Sequence, residues 1–185
     1  MSKQFFLFSI GGTIAASHVL LVVGMLRSKY ELSALVPLSI VPTASAGILL
    51  AILAYKAWST IQDGHARMAP SSAILRLFIP IYNVYWYFQV FWGFAKDYND
   101  YLDRHDLDAS KISDGIFLMF TVWNLAVWGI GFLFLGAHYS LLLAGGGFLL
   151  ELILGTAHTV LGVLVVINTC DAINTLAALP GRPAR

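Results

Sequence analysis

The stretch FIPIYNVYWYFQVFWGFAKDYN, residues 78–99, decides how this chain is arranged. It is apolar enough to cross a membrane, yet Pro80 and Asn83 lie near its start. Aromatic residues also occupy the places where a span usually carries Leu, Ile and Val. Tyr and Trp favour the bilayer interface, where the ring is buried and the polar atom stays hydrated. The stretch therefore fits either a membrane span or a hairpin lying at the membrane surface.

The composition of the whole chain excludes a soluble globular domain. Its 185 residues are 58% hydrophobic and 11% charged, whereas soluble domains carry about 25% charged residues. The net charge of +1 argues against a nucleic-acid-binding protein, which concentrates Lys and Arg on one face. The single cysteine, Cys170, excludes an intrachain disulfide and any CxxC redox or metal motif.

Four apolar segments are long enough to cross a hydrocarbon core of roughly 30 Å. They cover residues 5–26, 35–57, 115–136 and 141–167. Each is expected to be helical, because a chain in lipid must satisfy its backbone hydrogen bonds internally. The first segment is longer than the apolar part of a cleaved signal peptide, so it too is predicted to be a span. The predicted fold class is an all-α integral membrane protein, with residues 1–185 forming one membrane domain.

The distribution of basic residues decides between four spans and five. With four spans and a cytoplasmic N-terminus, nine basic residues lie on the cytoplasmic side: Lys3, Lys56, Arg67, Arg76, Lys96, Arg104, Lys111, Arg182 and Arg185. Two, Arg27 and Lys29, lie outside. If residues 75–95 also crossed, the better orientation would give seven against four. The positive-inside bias therefore favours four spans, both termini cytoplasmic, and one cytoplasmic or interfacial connection over residues 58–111.

This connection is predicted to contain a helix–break–helix hairpin on or in the cytoplasmic leaflet. Ser71 or Ser72 is expected to cap a short helix that ends near residue 79, because Pro80 disfavours helix in the residue before it. A second helix is expected to start after Asn83. The residues predicted to lie at the membrane interface are Trp58, Pro80, Asn83, Tyr85, Trp86 and Trp92. A fifth span over residues 75–95 stays open as the alternative.

The candidate functional residues are the polar residues within the predicted spans, namely His18, Thr43, Asn124, Glu151 and His158. Ionisable groups inside a membrane are costly and mark functional sites by default. With a rise of 1.5 Å per residue, His18, Thr43 and Glu151 lie about 20–22 Å from the cytoplasmic ends of their spans. Asn124 and His158 lie at about 12–14 Å. The sequence thus predicts two buried polar layers, with His18 and Glu151 joined by a hydrogen bond or an ion pair.

The fourth predicted span carries its polar and small residues on one face. Glu151, Gly155, His158 and Gly162 follow one another at spacings of four, three and four, so they share a helix face. That face should pack on neighbouring helices, and its polar groups should either fasten the helices or form a proton or ion path through Glu151 and His158. A b-type haem held by two histidines is a further reading, although His18 and His158 differ by about 8 Å in height.

The run WSTIQDGHARMAPSSAILRLFIPIYNVYWYFQVFWGFAKDYN, residues 58–99, resembles a recurring segment of uncharacterised small bacterial membrane proteins. These share a Trp after the second span, a Pro before a short helix and an IPxxNxYW element. The matching positions here are Trp58, Pro70, Ile79, Pro80, Asn83, Tyr85 and Trp86. The resemblance implies a bacterial inner-membrane protein, and it carries no chemistry with it.

Together these features predict a non-catalytic accessory or assembly subunit of a larger bacterial membrane complex. No Ser–His–Asp or Cys–His arrangement can be assembled at one height, and no metal site is expected. The expected partners are the lipid bilayer and other membrane subunits or a second copy of the chain. Two alternatives stay open: a small proton- or ion-coupled transporter or channel using Glu151 and His158, and a haem-binding electron-transfer protein.

Overall fold

The computed structural model of the protein describes residues 2–26, 32–79, 81–137 and 146–179. Within these ranges the side chains of residues 21, 22, 24–26, 32–40, 128, 130–137 and 146–151 are not described. The regular secondary structure of the described part is all helical, and this part contains no strand, which confirms the all-α class.

The helices follow one another in chain order. They are α1 (Lys3–Phe6), a π-helical turn (Leu7–Gly11), α2 (Gly12–Leu26), α3 (Leu32–Thr60), α4 (Pro70–Leu75), a 3₁₀ turn (Arg76–Phe78), α5 (Tyr82–Val90), α6 (Trp92–Arg104), α7 (Asp114–Ala137) and α8 (Gly146–Ala178).

Two segments of these helices, Val41–Thr60 in α3 and Leu152–Ala178 in α8, are long and apolar enough to cross a membrane. Length and composition of this kind point to membrane association. In α7 the apolar stretch Asp114–Val127 is shorter than a span within the described residues. The four crossings predicted from the sequence therefore stay a prediction.

Helix α8 is longer than the predicted fourth span, because it continues beyond residue 167 to Ala178. The apolar run ends at Asn168, but a polar residue does not end a helix. The Asn168 amide instead donates to the carbonyl of Leu164 on the preceding turn, at 2.8 Å. Proline stops a helix far more strongly than a polar residue does, and the sequence places one at position 180.

The long helices form a bundle in which α2 contacts α3 and α8, and α7 contacts α8. The level of α1 relative to α8 can be read from an ion pair, with Lys3 Nζ 2.7 Å from a carboxylate oxygen of Asp171. The fully buried side chains of the bundle include Ile10, Leu53, Phe117, Phe120 and Val165. Because these come from helices far apart in the sequence, their packing in one core holds the helices of the bundle together.

Helices α4, α5 and α6 pack against the bundle rather than lying apart from it. Helix α6 buries Phe94, Tyr98, Tyr101 and Leu102, whose spacing places them on one face of the helix. The Phe94 ring lies 6.2 Å from the ring of Phe117 in α7. The second half of the predicted hairpin is therefore a packed amphipathic helix.

The predicted break within the hairpin is confirmed, since α4 and the 3₁₀ turn end at Phe78 and α5 begins at Tyr82. The predicted start after Asn83 is wrong, because Asn83 already lies in the first turn of α5. With nine residues, α5 is too short to cross a membrane. The predicted serine cap of α4 is wrong: Pro70 occupies the first turn and Ala69 is the N-cap. Proline suits that position because its fixed φ matches a helix and its missing N–H would have no partner there. The predicted role of Pro80 lies outside the described residues.

Candidate functional site

Three polar side chains from three helices meet inside the bundle, and they form the polar triad of His18 in α2, Asn124 in α7 and His158 in α8. His18 Nε2 lies 3.4 Å from His158 Nδ1. The Asn124 amide nitrogen lies 2.9 Å from His158 Nε2. Asn124 is buried, and the two histidines are partly buried. The triad therefore links three helices through a continuous chain of polar atoms.

The hydrogen bonds of the triad define which atoms carry protons. Asn124 Nδ2 donates to His158 Nε2, so a neutral His158 carries its proton on Nδ1. Nδ1 then points its N–H toward Nε2 of His18 across the 3.4 Å contact. The direction from donor to acceptor is therefore the same in both contacts, from the Asn124 amide to His158 and from His158 to His18.

The shape of α8 makes room for the triad. A Cβ atom at Gly155 would lie 2.6 Å from His18 Nδ1 and 2.7 Å from its Cγ, so the His18 ring packs directly on the α8 backbone. The Phe120 ring lies nearly parallel to that of His158, with centroids 6.2 Å apart. The small residue expected for close helix approach is thus the one that receives a functional side chain.

The predicted separation of His18 from His158 by about 8 Å in height is wrong. Heights were counted from the ends of the apolar runs, whereas the ion pair between Lys3 and Asp171 shows the actual level of the two helices. His18 follows Lys3 by 15 residues and His158 precedes Asp171 by 13. At 1.5 Å per residue, the two histidines differ by about 3 Å in height.

The other predicted layer residues do not join the triad among the described side chains. Thr43 is exposed rather than buried. It lies one turn before Ala46, the first buried residue among the described side chains of α3. The side chain of Glu151 and its predicted contact with His18 lie outside the described residues. The expected level of Asn124 with His158 agrees with their contact.

The geometry of the two histidines does not fit a haem. Bis-histidine ligation places the porphyrin ring between two imidazoles, with one nitrogen approaching the iron from each face. Here the imidazoles meet edge to face, with centroids 5.6 Å apart and 84° between their planes. Direct contact of this kind leaves no space for a macrocycle.

Comparison with known proteins gives no role for these residues. The chain matches no protein-family model, no curated protein and no solved structure. The candidate sites are therefore defined by their geometry and chemistry.

The tryptophans predicted to lie at the interface are mostly core residues. Trp58 belongs to α3, is fully buried and donates its N–H to the carbonyl of Val90 at 3.0 Å. Trp86 is buried and donates to the carbonyl of Ala73 at 3.1 Å. Both carbonyls lie near helix ends, where backbone acceptors lack partners within the helix. The prediction is wrong for these two because their N–H groups find protein acceptors instead of water.

The remaining predicted interfacial residues divide into exposed and partly buried ones. Asn83 and Tyr85 are exposed in α5, as an interfacial position requires. Trp92 is partly buried, its indole N–H has no partner within the described part, and the Lys96 ammonium lies 3.5 Å from its ring centroid. A cation above an indole ring is attracted by the negative face of the π-system.

Sequence reasoning missed a second polar site, which joins the loop after α3 to α6. Asp97 is largely buried and accepts from the Arg67 backbone N–H at 2.9 Å and from Nε at 2.7 Å. Arg67 Nη2 lies 2.6 Å from the same carboxylate. The guanidinium also approaches Gly93, where a Cβ would lie 3.2 Å from Nη1. Thirty residues separate the two partners, and no local sequence signal links them.

A third cluster holds the start of that loop against the end of α6. Asp63 accepts from the backbone N–H of His65 at 2.9 Å, from Arg104 Nη2 at 2.9 Å and from His105 Nε2 at 3.1 Å. Burial alone would raise the pKa of Asp63, but the hydrogen bonds and the positive charge of Arg104 outweigh it. The pKa of this carboxyl is lowered to about 2.

The low pKa of Asp63 predicts an acid-sensitive loop. A carboxyl whose folded pKa is depressed contributes stability above its unfolded pKa of 3.8, and this stability is lost as pH falls toward 2. Melting temperature should therefore fall less between pH 4 and pH 2 in Asp63→Asn than in the wild type. Circular dichroism melts across this interval provide the measurement. Asp108→Asn, at an exposed position, is the control and should keep the wild-type slope; equal slopes in all three proteins would contradict the prediction.

Proposed function

We propose that the chain is an integral membrane accessory or assembly subunit, without catalytic activity, that forms part of a larger bacterial membrane complex. The observation that carries this proposal is the large apolar surface that the long helices leave uncovered. In the most apolar 18-residue stretches of α3 and α8, 33% and 28% of the residues are buried. A core helix of a soluble protein would be mostly buried, so lipid or partner subunits must cover this surface.

The uncovered surface continues on several helices. Its large apolar side chains include Val19, Val41, Ile48, Ile52, Tyr55, Met119, Val122, Leu152, Ile153 and Val160. The polar triad lies on the inner side of the same helices. Apolar residues outside and polar residues inside are the distribution expected of a bundle in lipid.

The proposal includes four crossings with both termini on the cytoplasmic side of the bacterial inner membrane. It is supported by the excess of nine basic residues over two on the side that carries residues 58–111. The packing of α4, α5 and α6 against one end of the bundle suits a connection on that side.

A structural role is favoured over catalysis by the chemistry of the described sites. A cavity lined by Leu53, Phe94, Phe117 and Thr169 has about 10 Å³ of free volume, which hardly admits one water. Within the described residues, no group of three or more His, Cys, Asp or Glu side chains could hold a metal ion. The ion pairs and most tryptophan N–H groups there instead fasten elements together.

The assembly role is tested by photo-crosslinking in native membranes. A photoreactive amino acid at exposed Ile48 should give one discrete adduct with a partner subunit, and the tagged chain should migrate as a larger complex on native gels. The same group at Leu53, which is buried in the same helix, is the matched control and should give no partner adduct. A monomeric chain with no adduct from Ile48, Ile52 or Ile153 would overturn the proposal.

A second candidate function, a small proton- or ion-coupled transporter or channel, is favoured by the polar triad. Its imidazoles and amide form a directed chain of donors and acceptors, and two histidines in contact can pass a proton between them. Glu151 lies one turn before Gly155 on the same helix, and it is the proposed further member of the path.

The transport candidate predicts a pH-driven flux in proteoliposomes that depends on the triad. Gly155→Ala should push His18 away from His158 and slow the flux at least as strongly as Glu151→Gln or His158→Gln. Gly129→Ala is the matched control, since a Cβ there meets nothing within 4 Å, and its flux should equal that of the wild type. A wild-type protein without flux, or a Gly155→Ala variant with full flux, would remove this candidate.

A further inference from the structure

We propose that the bend between α4 and α5 inserts into an anionic lipid leaflet, with Arg76 binding a lipid phosphate. The bend is called the hairpin tip and consists of Leu75, Phe78, Ile79, Ile81, Val84 and Tyr85, together with Arg76. This inference rests on the proposed membrane placement and names the lipid chemistry that the hairpin recognises.

The hairpin tip exposes large apolar side chains that the protein does not cover. Ile81 is 90% exposed, Phe78 73% and Leu75 67%, and the other apolar members are each about half exposed. These residues lie within eleven consecutive positions, so the exposed apolar surface is concentrated at this bend. A contiguous apolar patch of this kind marks a surface that another apolar phase covers.

The backbone of the tip holds the most exposed residue in a strained conformation. Ile81 has φ 65° and ψ −50°, near a γ-turn that branched residues rarely adopt. Such conformations cost of order 1–3 kcal/mol and persist when the surroundings determine them. In this conformation the Ile81 side chain lies outside the fold.

The tip is mounted on a fixed base. Trp86 is buried beneath it and bonds the Ala73 carbonyl, which ties α5 to α4. The Tyr82 ring stacks on Trp86, with centroids 5.6 Å apart and 21° between planes. Because the base is ordered, insertion into lipid does not require the tip to fold first.

The charge around the tip complements an anionic surface. The sequence between Asp63 and Asp97 contains Arg67, Arg76 and Lys96 but no Asp or Glu. Arg67 is engaged by Asp97, whereas Arg76 is exposed, lies 4.6 Å from the Trp86 ring centroid and has no carboxylate partner among the described residues. An arginine at the rim of an apolar patch binds phosphate while the patch enters the acyl region.

Lipid is favoured over a protein partner by the composition of the rim. Tyr82 and Tyr85 are exposed beside the apolar residues, and tyrosine is enriched where a bilayer changes from acyl chain to headgroup. Together with Arg76, this gives apolar, aromatic and cationic groups at one bend, which is the combination that suits a leaflet surface.

The insertion is tested with spin labels on the full chain in nanodiscs containing phosphatidylglycerol and phosphatidylcholine. Labels are attached to Ile81→Cys, Asp108→Cys and Ile48→Cys in a Cys170→Ala background. Oxygen accessibility relative to a water-soluble nickel complex should be several-fold higher at Ile81 than at Asp108. Asp108 is an exposed residue beyond the end of α6 and should report water.

Ile48 separates failure of this inference from failure of the proposed function. A label in lipid at Ile48 and in water at Ile81 would overturn the hairpin-tip inference and leave the membrane placement intact. A label at Ile81 that neither oxygen nor the nickel complex reaches would also overturn it and would point to a protein occupant of the tip. A label in water at Ile48 would overturn the membrane placement and this inference with it. Lipid exposure at both positions supports insertion of the tip.

The anionic preference is measured with spin-labelled phosphatidylglycerol competing against phosphatidylcholine. Arg76→Gln should reduce the preference for phosphatidylglycerol by about fivefold, the factor expected for one basic residue at an anionic surface. Lys111→Gln is the control, because Lys111 is paired with Asp103 away from the tip. An unchanged lipid preference in Arg76→Gln would overturn the phosphate contact.

Discussion

Replacing Trp58 by alanine is expected to lower the free energy of unfolding by about 3–5 kcal/mol. The side chain is fully buried at the end of α3, so its removal leaves a cavity that the surrounding aromatic rings cannot fill. The Phe94 ring packs edge to face against it, with centroids 5.9 Å apart. The variant also leaves the Val90 carbonyl, the last in α5, without the N–H that it accepts.

Two further variants separate the volume of Trp58 from its hydrogen bond. Trp58→Phe keeps most of the ring and loses the N–H, so it should cost about 1–3 kcal/mol, the range for leaving a buried acceptor unsatisfied. Phe78→Ala removes a large but 73% exposed ring and should change stability by less than about 0.5 kcal/mol in detergent. Unfolding by sodium dodecyl sulfate in mixed micelles, followed by far-UV circular dichroism, provides the measurement. Equal losses for Trp58→Ala and Phe78→Ala would contradict the buried position of Trp58.

Replacing Asp97 by alanine is expected to cost about 2–3 kcal/mol, because it leaves Arg67 without its carboxylate. A fully buried pair would cost more when broken, but the Arg67 side chain is 38% exposed and regains water. The loss should be felt in the loop after α3, since both the backbone and the guanidinium of Arg67 are bound by this one carboxylate. Asp97→Asn keeps the shape and should fall between the wild type and the alanine variant, because charge-assisted hydrogen bonds are about twice as strong as neutral ones.

Two other ion pairs, with similar N–O distances but more exposed side chains, provide matched controls for Asp97. Lys3 with Asp171 and Lys111 with Asp103 both meet at 2.7 Å, and their side chains are between 37% and 60% exposed. Exposed ion pairs contribute about 0–1 kcal/mol, so Asp171→Ala and Asp103→Ala should change stability little. The same detergent titration compares all three. A loss for Asp103→Ala as large as that for Asp97→Ala would show that burial is not what makes the Asp97 site strong.

Local patterns predicted the helical class and the broken hairpin. An apolar run without strand alternation selects helix, and the break between α4 and α5 follows from residues that lie next to each other in the chain. The end of the apolar run at residue 167 marks the end of the predicted span only, since α8 continues to Ala178. Local patterns failed at the cap of α4, where Pro70 took the position expected of a serine.

The predicted heights of the polar residues also divide into one that agrees with the structure and one that does not. Asn124 and His158 were expected at one level, and they are in contact. His18 was misplaced because its height depends on how α1 and α2 slide against α8. In the folded bundle that register brings Lys3 against Asp171, which lies 168 residues away along the chain.

The sequence by itself determined that this protein is helical, that its composition points to membrane association and that the hairpin breaks between α4 and α5, because these follow from composition and from neighbours along the chain. The tertiary structure decided that His18 meets His158, that Trp58 and Trp86 are core residues and that Arg67 is bound by Asp97. Each of these depends on the relative height and rotation of packed helices. That register is set by contacts between distant residues, and no local pattern in the chain encodes it.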